Sequence, residues 1–216
     1  MDSRMRAVLN FVHEGSRVAD VGADHAYLSI ELIKCGRASK VIATEKNVEP
    51  FEAARKNISA AGLENIIDVR LGDGLQVLTA DEVDTICIAG MGGALIVKIL
   101  DDAPEVVQSA RSLILQPMNA AEKVRAWLTE NNWTIIDEDL AESAGIIYEI
   151  ICAEKNSVQK IFKRESSPLL KKFLTQRLEK LQHMLDEMSK SESARVSEKF
   201  LATQAEIETL GKKIPM

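Results

Sequence analysis

The stretch that most constrains this chain runs from Arg17 to Tyr27, R-V-A-D-V-G-A-D-H-A-Y. Val-Ala-Asp-Val reads as the end of a buried strand, Gly22 allows a sharp turn, and Ala26 to Leu32 opens a helix. Glycine at such a turn lets the backbone approach a ligand closely, and the unpaired amides of a helix start can face it. A second apolar run, Lys40 to Thr44, ends at Glu45, 23 positions beyond Gly22. An acidic side chain roughly 20 residues after the glycine turn is placed to grip the hydroxyls of a ribose.

The remainder repeats this alternation. Met5, Val8, Leu9 and Val12 recur at helical spacing over residues 3–14, ahead of the first strand. Helices are expected over about 26–35 and 48–61, and a third strand from Ile66 to Leu71 stops at Gly72-Asp73-Gly74. A fourth strand, Val83 to Ala89, runs into Gly90-Met91-Gly92-Gly93 and a further helix. The fifth, Ser112 to Leu115, is closed by Gln116-Pro117. After a helix over about 119–131 come two last apolar runs, Thr134–Ile136 and Ile146–Ala153, expected to pair antiparallel. Short apolar strands alternating with amphipathic helices predict a mostly parallel sheet covered on both faces. Right-handed crossovers bring every parallel strand's C-terminal end to one rim. The glycine- and acid-rich segments after the first four strands all fall there, where open α/β sheets bind ligands.

From residue 155 the pattern changes. Leu174, Leu178, Leu181, Leu185 and Met188 step by four and three, and Val196, Phe200, Thr203, Ile207 and Leu210 repeat the stepping after a serine-rich break. Two such seams predict an antiparallel, coiled-coil-like helical hairpin. The expected division is therefore a first domain over 1–154 and a basic linker with hairpin over 155–216. Charge follows the same division: residues 1–154 hold 14 Lys and Arg against 25 Asp and Glu, whereas 155–216 hold 13 against 8. An acidic body with a basic tail points to an anionic partner met by the tail.

Several classes drop out. No apolar run approaches the roughly 20 residues of a membrane span, and no signal-peptide core follows the first residues, so a cytoplasmic protein is expected. Cys35, Cys87 and Cys152 form no C-x-x-C pair and are expected as buried free thiols. With His13, His25 and His183 they show no metal-ligand spacing, and no metal is expected. A dinucleotide enzyme needs G-x-G-x-x-G, but G-A-D-H-A-Y has one glycine, and an aspartate where a pyrophosphate would lie. A carboxylate repels phosphate and attracts a sulfonium or an ammonium group. The cradle therefore fits S-adenosylmethionine better than NAD. Asp20 and Asp24 would favour the methionine end, Glu45 the ribose and Asp73 the adenine amino group.

D-V-G-A-D-H-A-Y-L, the downstream T-E-K, L-G-D-G-L, I-A-G-M-G-G and L-I-L-Q-P-M together resemble the bacterial TrmK family, and the likeness extends through the Trp127 helix to the C-terminal hairpin. That resemblance implies a Rossmann-like class I methyltransferase domain, S-adenosylmethionine as cofactor, and methylation of adenine N1 at position 22 of the tRNA D-loop. Carried over residue by residue, it places Gly22, Asp24, His25, Glu45, Lys46, Asp73, Gly74, Gly90, Met91 and Gly92 at the cofactor, with Asp20 added from the charge argument. Transfer to an exocyclic amine usually employs an Asn/Asp-Pro-Pro-aromatic turn after the fourth strand, and this chain has A-G-M-G-G there. Pyrimidine C5 transfer needs an exposed cysteine nucleophile, and Cys87 lies inside an apolar strand. A ring nitrogen already carries its lone pair, so alignment and stabilisation of a cationic product suffice. Asp24 is the candidate for the electrostatic role, His25 and Tyr27 for contact with the target base. Arg4 at the rim and Lys163, Arg164, Lys171, Lys172 and Arg177 in the basic tail are the candidates for RNA contact. Two other readings remain open at this level: a methyltransferase for a small metabolite or protein, its hairpin serving oligomerisation, and a binding module without turnover. A monomer is favoured.

Overall fold

The computed structural model describes residues 2–155, 157–158 and 163–214, with the Lys163 side chain outside the description. These residues divide into two compact units, one through Arg164 and one from Glu165. In the first unit the elements follow in the order α1 (Ser3–Phe11), β1 (Ser16–Val21), α2 (Tyr27–Lys34), β2 (Ala38–Glu45), α3 (Val48–Ala60), β3 (Ile67–Leu71), β4 (Thr85–Met91), α4 (Gly93–Asp101), α5 (Pro104–Ser109), β5 (Ser112–Pro117), α6 (Ala121–Glu130), β6 (Thr134–Ser143) and β7 (Ile146–Glu154).

The seven strands form one sheet in the order β3-β2-β1-β4-β5-β7-β6. Strands β1 to β5 are parallel, and β7 enters antiparallel between β5 and β6. Strand order reverses between β1 and β4, which opens a crevice at their C-terminal ends. Alternate residues of each central strand supply opposite faces. Val18, Cys87, Ile114 and Cys152 pack with Val8, Leu28, Leu32 and Ile58 of α1, α2 and α3. Ala19, Ile86, Leu113 and Ala153 pack with Ile96, Leu100, Val124 and Leu128 of α4 and α6. Burial on both faces explains why these strands read as unbroken apolar runs rather than alternating ones.

Two differences from the sequence reading have physical causes. β6 is ten residues long, so the acidic segment Asp137–Glu142, expected as a connection, is strand. Its Glu138 is 4 % exposed, and Glu149 on β7 is 7 % exposed. Arg125 of α6 holds both at 2.6 Å, and Arg164 reaches them at 3.1 and 2.9 Å. Burial opposes the Arg125 charge, but the two glutamates outweigh it and raise its pKa. Second, Cys35 is exposed, whereas Cys87 and Cys152 are buried as expected.

The second unit holds α7 (Leu170–Ser189), a single turn α8 (Glu192–Arg195) and α9 (Glu198–Gly211), after one 3-10 turn. Phe173, Leu174 and Leu181 of α7 are buried, as are Thr203 and Leu210 of α9. Arg177 of α7 pairs with Glu206 of α9 at 2.9 Å from Nε. Val196 does not join the seam: it lies between α8 and α9 and is 80 % exposed.

Candidate active site

The turn after β1 is tied to the end of β2 by its own backbone. Gly22 and Ala23 both donate their N–H to the Thr44 carbonyl, at 2.9 and 3.1 Å. Gly22, Asp24 and Ala26 all have positive φ, at 70, 51 and 58°. Three left-handed residues within five fold the chain tightly, and only the first is a glycine, so strain is held in this turn. A side chain at Gly22 would also run into the Met91 methyl, at 2.3 Å. Ala26 then forms the N-cap of α2 without a side-chain hydrogen bond.

Glu45 closes the other side. It is 8 % exposed. Its carboxylate accepts from three backbone amides: Asp24 at 3.2 Å, Lys46 at 2.9 Å and Asn47 at 3.3 Å. The acid predicted for a ribose is thus also the brace between the β1 and β2 turns. Asp20, 5 % exposed, accepts from the Ser29 hydroxyl at 2.6 Å. Burial pushes its pKa up to about 6, the Ser29 bonds oppose this, and the Glu45 charge adds to the rise. Asp73, predicted at an adenine amino group, lies 2.6 Å from Lys46 Nζ, in an exposed ion pair.

A cavity of ≈ 830 Å³ opens over the tips of β1 and β4, lined by Arg4, Asp20, Gly22, Asp24, His25 and Gly90, with Tyr27 among the other lining residues. His25 and Tyr27 form an aromatic pair with centroids 5.6 Å apart, and His25 Nε2 lies 3.8 Å from an Asp24 oxygen. All three stand exposed at the mouth. Glu45, Lys46, Asp73, Gly74, Met91 and Gly92 are not in the cavity lining. They occupy the neighbouring strand ends, with Gly74 at φ 58° and Gly92 as N-cap of α4.

Gln116, Asn119 and Gly93 were not singled out as site residues. Gln116 Oε1 accepts from Gly90 N at 3.0 Å, and the Asn119 carbonyl accepts from Gly93 N at 3.0 Å. A methyl group on Gly93 would meet the Ala120 carbonyl oxygen at 2.3 Å, so β4 and β5 cannot close their loops around anything larger. The L-Q-P-M run carried the only signal for Gln116, a polar residue directly after the apolar Leu113–Leu115.

The basic tail is not uniformly available. Arg164 belongs to the glutamate cluster described above, and Arg177 to the α7–α9 pair. Lys155 donates to the Val107 carbonyl at 3.3 Å, and its ammonium lies 4.7 Å from the Trp133 ring centroid. Lys171 and Lys172 are exposed, and Lys160 lies outside the described residues. Among the described residues no helix is long and apolar enough to cross a membrane, and no group of acids, histidines and cysteines could hold a metal.

The cradle's carboxylates, Asp20, Asp24 and Glu45, suit a cationic sulfonium nucleoside and would repel a pyrophosphate. Fold, strand order and cradle together define a class I methyltransferase, and the family model described as a methyltransferase domain matches residues 1–151. A tRNA (adenine(22)-N(1))-methyltransferase of Bacillus subtilis is 40 % identical over 154 residues, covering 71 % of this chain and 65 % of that protein. The chain thus matches just under two thirds of that relative's length. The solved structure of the Bacillus subtilis tRNA methyltransferase TrmK aligns over 100 % of this chain and 99 % of its own, at 31 % identity and TM-score 0.86. Sp1610 of Streptococcus pneumoniae, solved in complex with S-adenosyl-L-methionine, aligns over 100 % of both chains at 33 % identity and TM-score 0.86. The chain belongs to the TrmK family.

Proposed function

We propose that this chain transfers the methyl group of S-adenosylmethionine to N1 of adenine 22 in tRNA, acting as a cytoplasmic monomer. The observation that carries the reading is the carboxylate-lined turn from Asp20 to Asp24 at the strand-order reversal, in a chain alignable end to end with TrmK structures. Gly22 gives the backbone its close approach, and Asp20 with Asp24 supplies negative charge for the methionine end. Glu45 serves the ribose, with Lys46, Asp73, Gly74, Gly90, Met91 and Gly92 completing the cofactor contacts. When bound, the cofactor supplies an electrophilic methyl group.

The protein's share is alignment and charge. Adenine N1 carries an in-plane lone pair and becomes cationic on methylation, so no general base is required. Asp24, exposed at the mouth, stabilises that developing charge. The His25–Tyr27 pair offers a surface on which an extruded base can stack, since a base must leave its helix or loop to enter such a cavity. Phosphate contact falls mainly to Lys171 and Lys172, with Arg4, Lys163 and Arg177 contributing. Arg164, held by Glu138 and Glu149, acts through position rather than as a free cation.

Incubation with labelled S-adenosylmethionine and transcribed tRNA tests this directly. Label is expected in a tRNA carrying A22 and absent from the same tRNA with guanine there. Equal labelling of both would refute the positional assignment, and cofactor binding without any RNA label would refute the substrate.

A further inference from the structure

We propose that Gln116 is a positioning residue for methyl transfer, acting through the Gly90 backbone and the Arg4 guanidinium, and that Arg4 is the side chain that receives a phosphate oxygen of the target nucleotide. The inference deepens the reading above and rests on it for the identity of the substrate.

Gln116 is 0 % exposed, and Ser112 is the other polar residue of its strand. A buried carboxamide is costly unless its bonds are made, and here they are. Its Oε1 accepts from Gly90 N at 3.0 Å and from Arg4 NH1 at 3.2 Å, while its Nε2 donates to the Pro117 carbonyl at 3.1 Å. Gly90 N–H and Arg4 can only donate, so the carboxamide has one sensible orientation. The β4–β5 register shifts between Ala89 and Met91, which breaks the ladder at Gly90. The Gln116 side chain supplies the missing acceptor, and so holds the bulge that ends β4 inside the cavity wall. Bulges beside active sites serve to re-aim the chain.

Arg4 comes from α1, far from this strand in sequence, and is clamped over the bulge. Its NH1 lies 3.4 Å from where a Gly90 side chain would begin. Its guanidinium carbon sits 5.4 Å from the Tyr148 ring centroid, and Met118 Sδ is 3.7 Å from NH1. Despite this, the buried Arg4 Nε–H has no hydrogen-bond acceptor among the described residues. Asp2 is the nearest carboxylate, at 3.7 Å, beyond a hydrogen bond. The Arg4 side chain is nevertheless 20 % exposed in the lining of the cavity, where its charge can meet an anion that arrives with the substrate. Its positive charge would oppose the cation forming at adenine N1, which assigns it to a phosphate rather than to the reacting edge.

The test uses the full chain with Gln116→Met, Arg4→Ala and the double variant. Gln116→Met should lower kcat/KM for tRNA by about 30-fold or more. Because Gln116 acts partly through Arg4, the double variant should fall well short of the product of the single losses. Gln116→Glu keeps an acceptor for both donors and should retain kcat within about tenfold of the natural protein. Gln116→Met at natural kcat/KM, losses that multiply, or Gln116→Glu as poor as Gln116→Met would each overturn the proposal. Hydrogen exchange at the Gly90 amide gives an answer independent of the substrate. It should accelerate at least about tenfold in Gln116→Met, and unchanged exchange overturns the positioning role even if the natural protein labels no tRNA. Failure of the natural protein on tRNA would instead refute the proposed function, leaving exchange to decide Gln116.

Discussion

Asp20 illustrates at the scale of one residue how a binding cradle is kept at the expense of stability. Its pKa is about 6 in the folded chain against an ordinary 3.8. The folded state therefore holds the proton more tightly than the unfolded one, and stability falls as pH rises from about 4 to 6. Above that window the burial of an ionised Asp20 costs about 3 kcal/mol, and below it the cost vanishes. Asp20→Asn is expected to raise the melting temperature at pH 7.5 and to leave it nearly unchanged at pH 3.5, provided both forms are folded there. The same variant should weaken binding of S-adenosylmethionine, measured by calorimetry. The turn at Gly22 and the acid ending β2 were legible in the sequence, because a glycine turn and an acid at a fixed distance stand out from the apolar strands around them. The brace that Glu45 makes was not, since nothing in T-E-K says that its carboxylate holds the Asp24 amide. Nor could spacing show that Asp73 pairs with Lys46.

Among the elements, β1, β2, β4 and β5 could be read from the chain because burial on both faces leaves their centres mostly apolar. β6 could not. Asp137, Glu138, Asp139 and Glu142 look like a loop until a cation from α6 is brought under the sheet edge, a contact made by tertiary structure alone. Arg125 is that cation, and removing it strands two buried carboxylates with Arg164 as the remaining partner. Arg125→Met should cost about 3 kcal/mol in denaturant unfolding, and adding Glu138→Gln should recover part of the loss. A substitution without effect would mean that solvent reaches both glutamates. The turn that closes this hairpin was signalled by Gly145, but Ala144 also adopts a positive φ, 50°, as a two-residue hairpin turn of this hand requires. An alanine there carries no such signal.

For the molecule as a whole the uneven distribution of charge matters more than the net −6. A body rich in carboxylates repels RNA, and the proposed reading draws the attraction from residues 155–216, which hold 13 Lys and Arg against 8 Asp and Glu. Lys155 and Arg164 are engaged within the first unit, and the proposed reading gives phosphate contact to Lys171 and Lys172, both exposed. Lys171→Glu with Lys172→Glu is expected to weaken tRNA binding steeply at low salt. It should also flatten the dependence of log affinity on log salt by about one to two. Filter binding across a salt series checks both, and an unchanged slope would remove the lysines from the interface. Methyl transfer to a free adenosine, which needs no such attraction, should be unaffected. The Glu45 brace has a consequence at this scale too. Whatever draws on that carboxylate must compete with, or lean against, the same group that steadies the Asp24 turn. Arrival of the nucleoside would then be felt mechanically at the mouth where the base enters, making the order in which the two reactants load a property of one side chain.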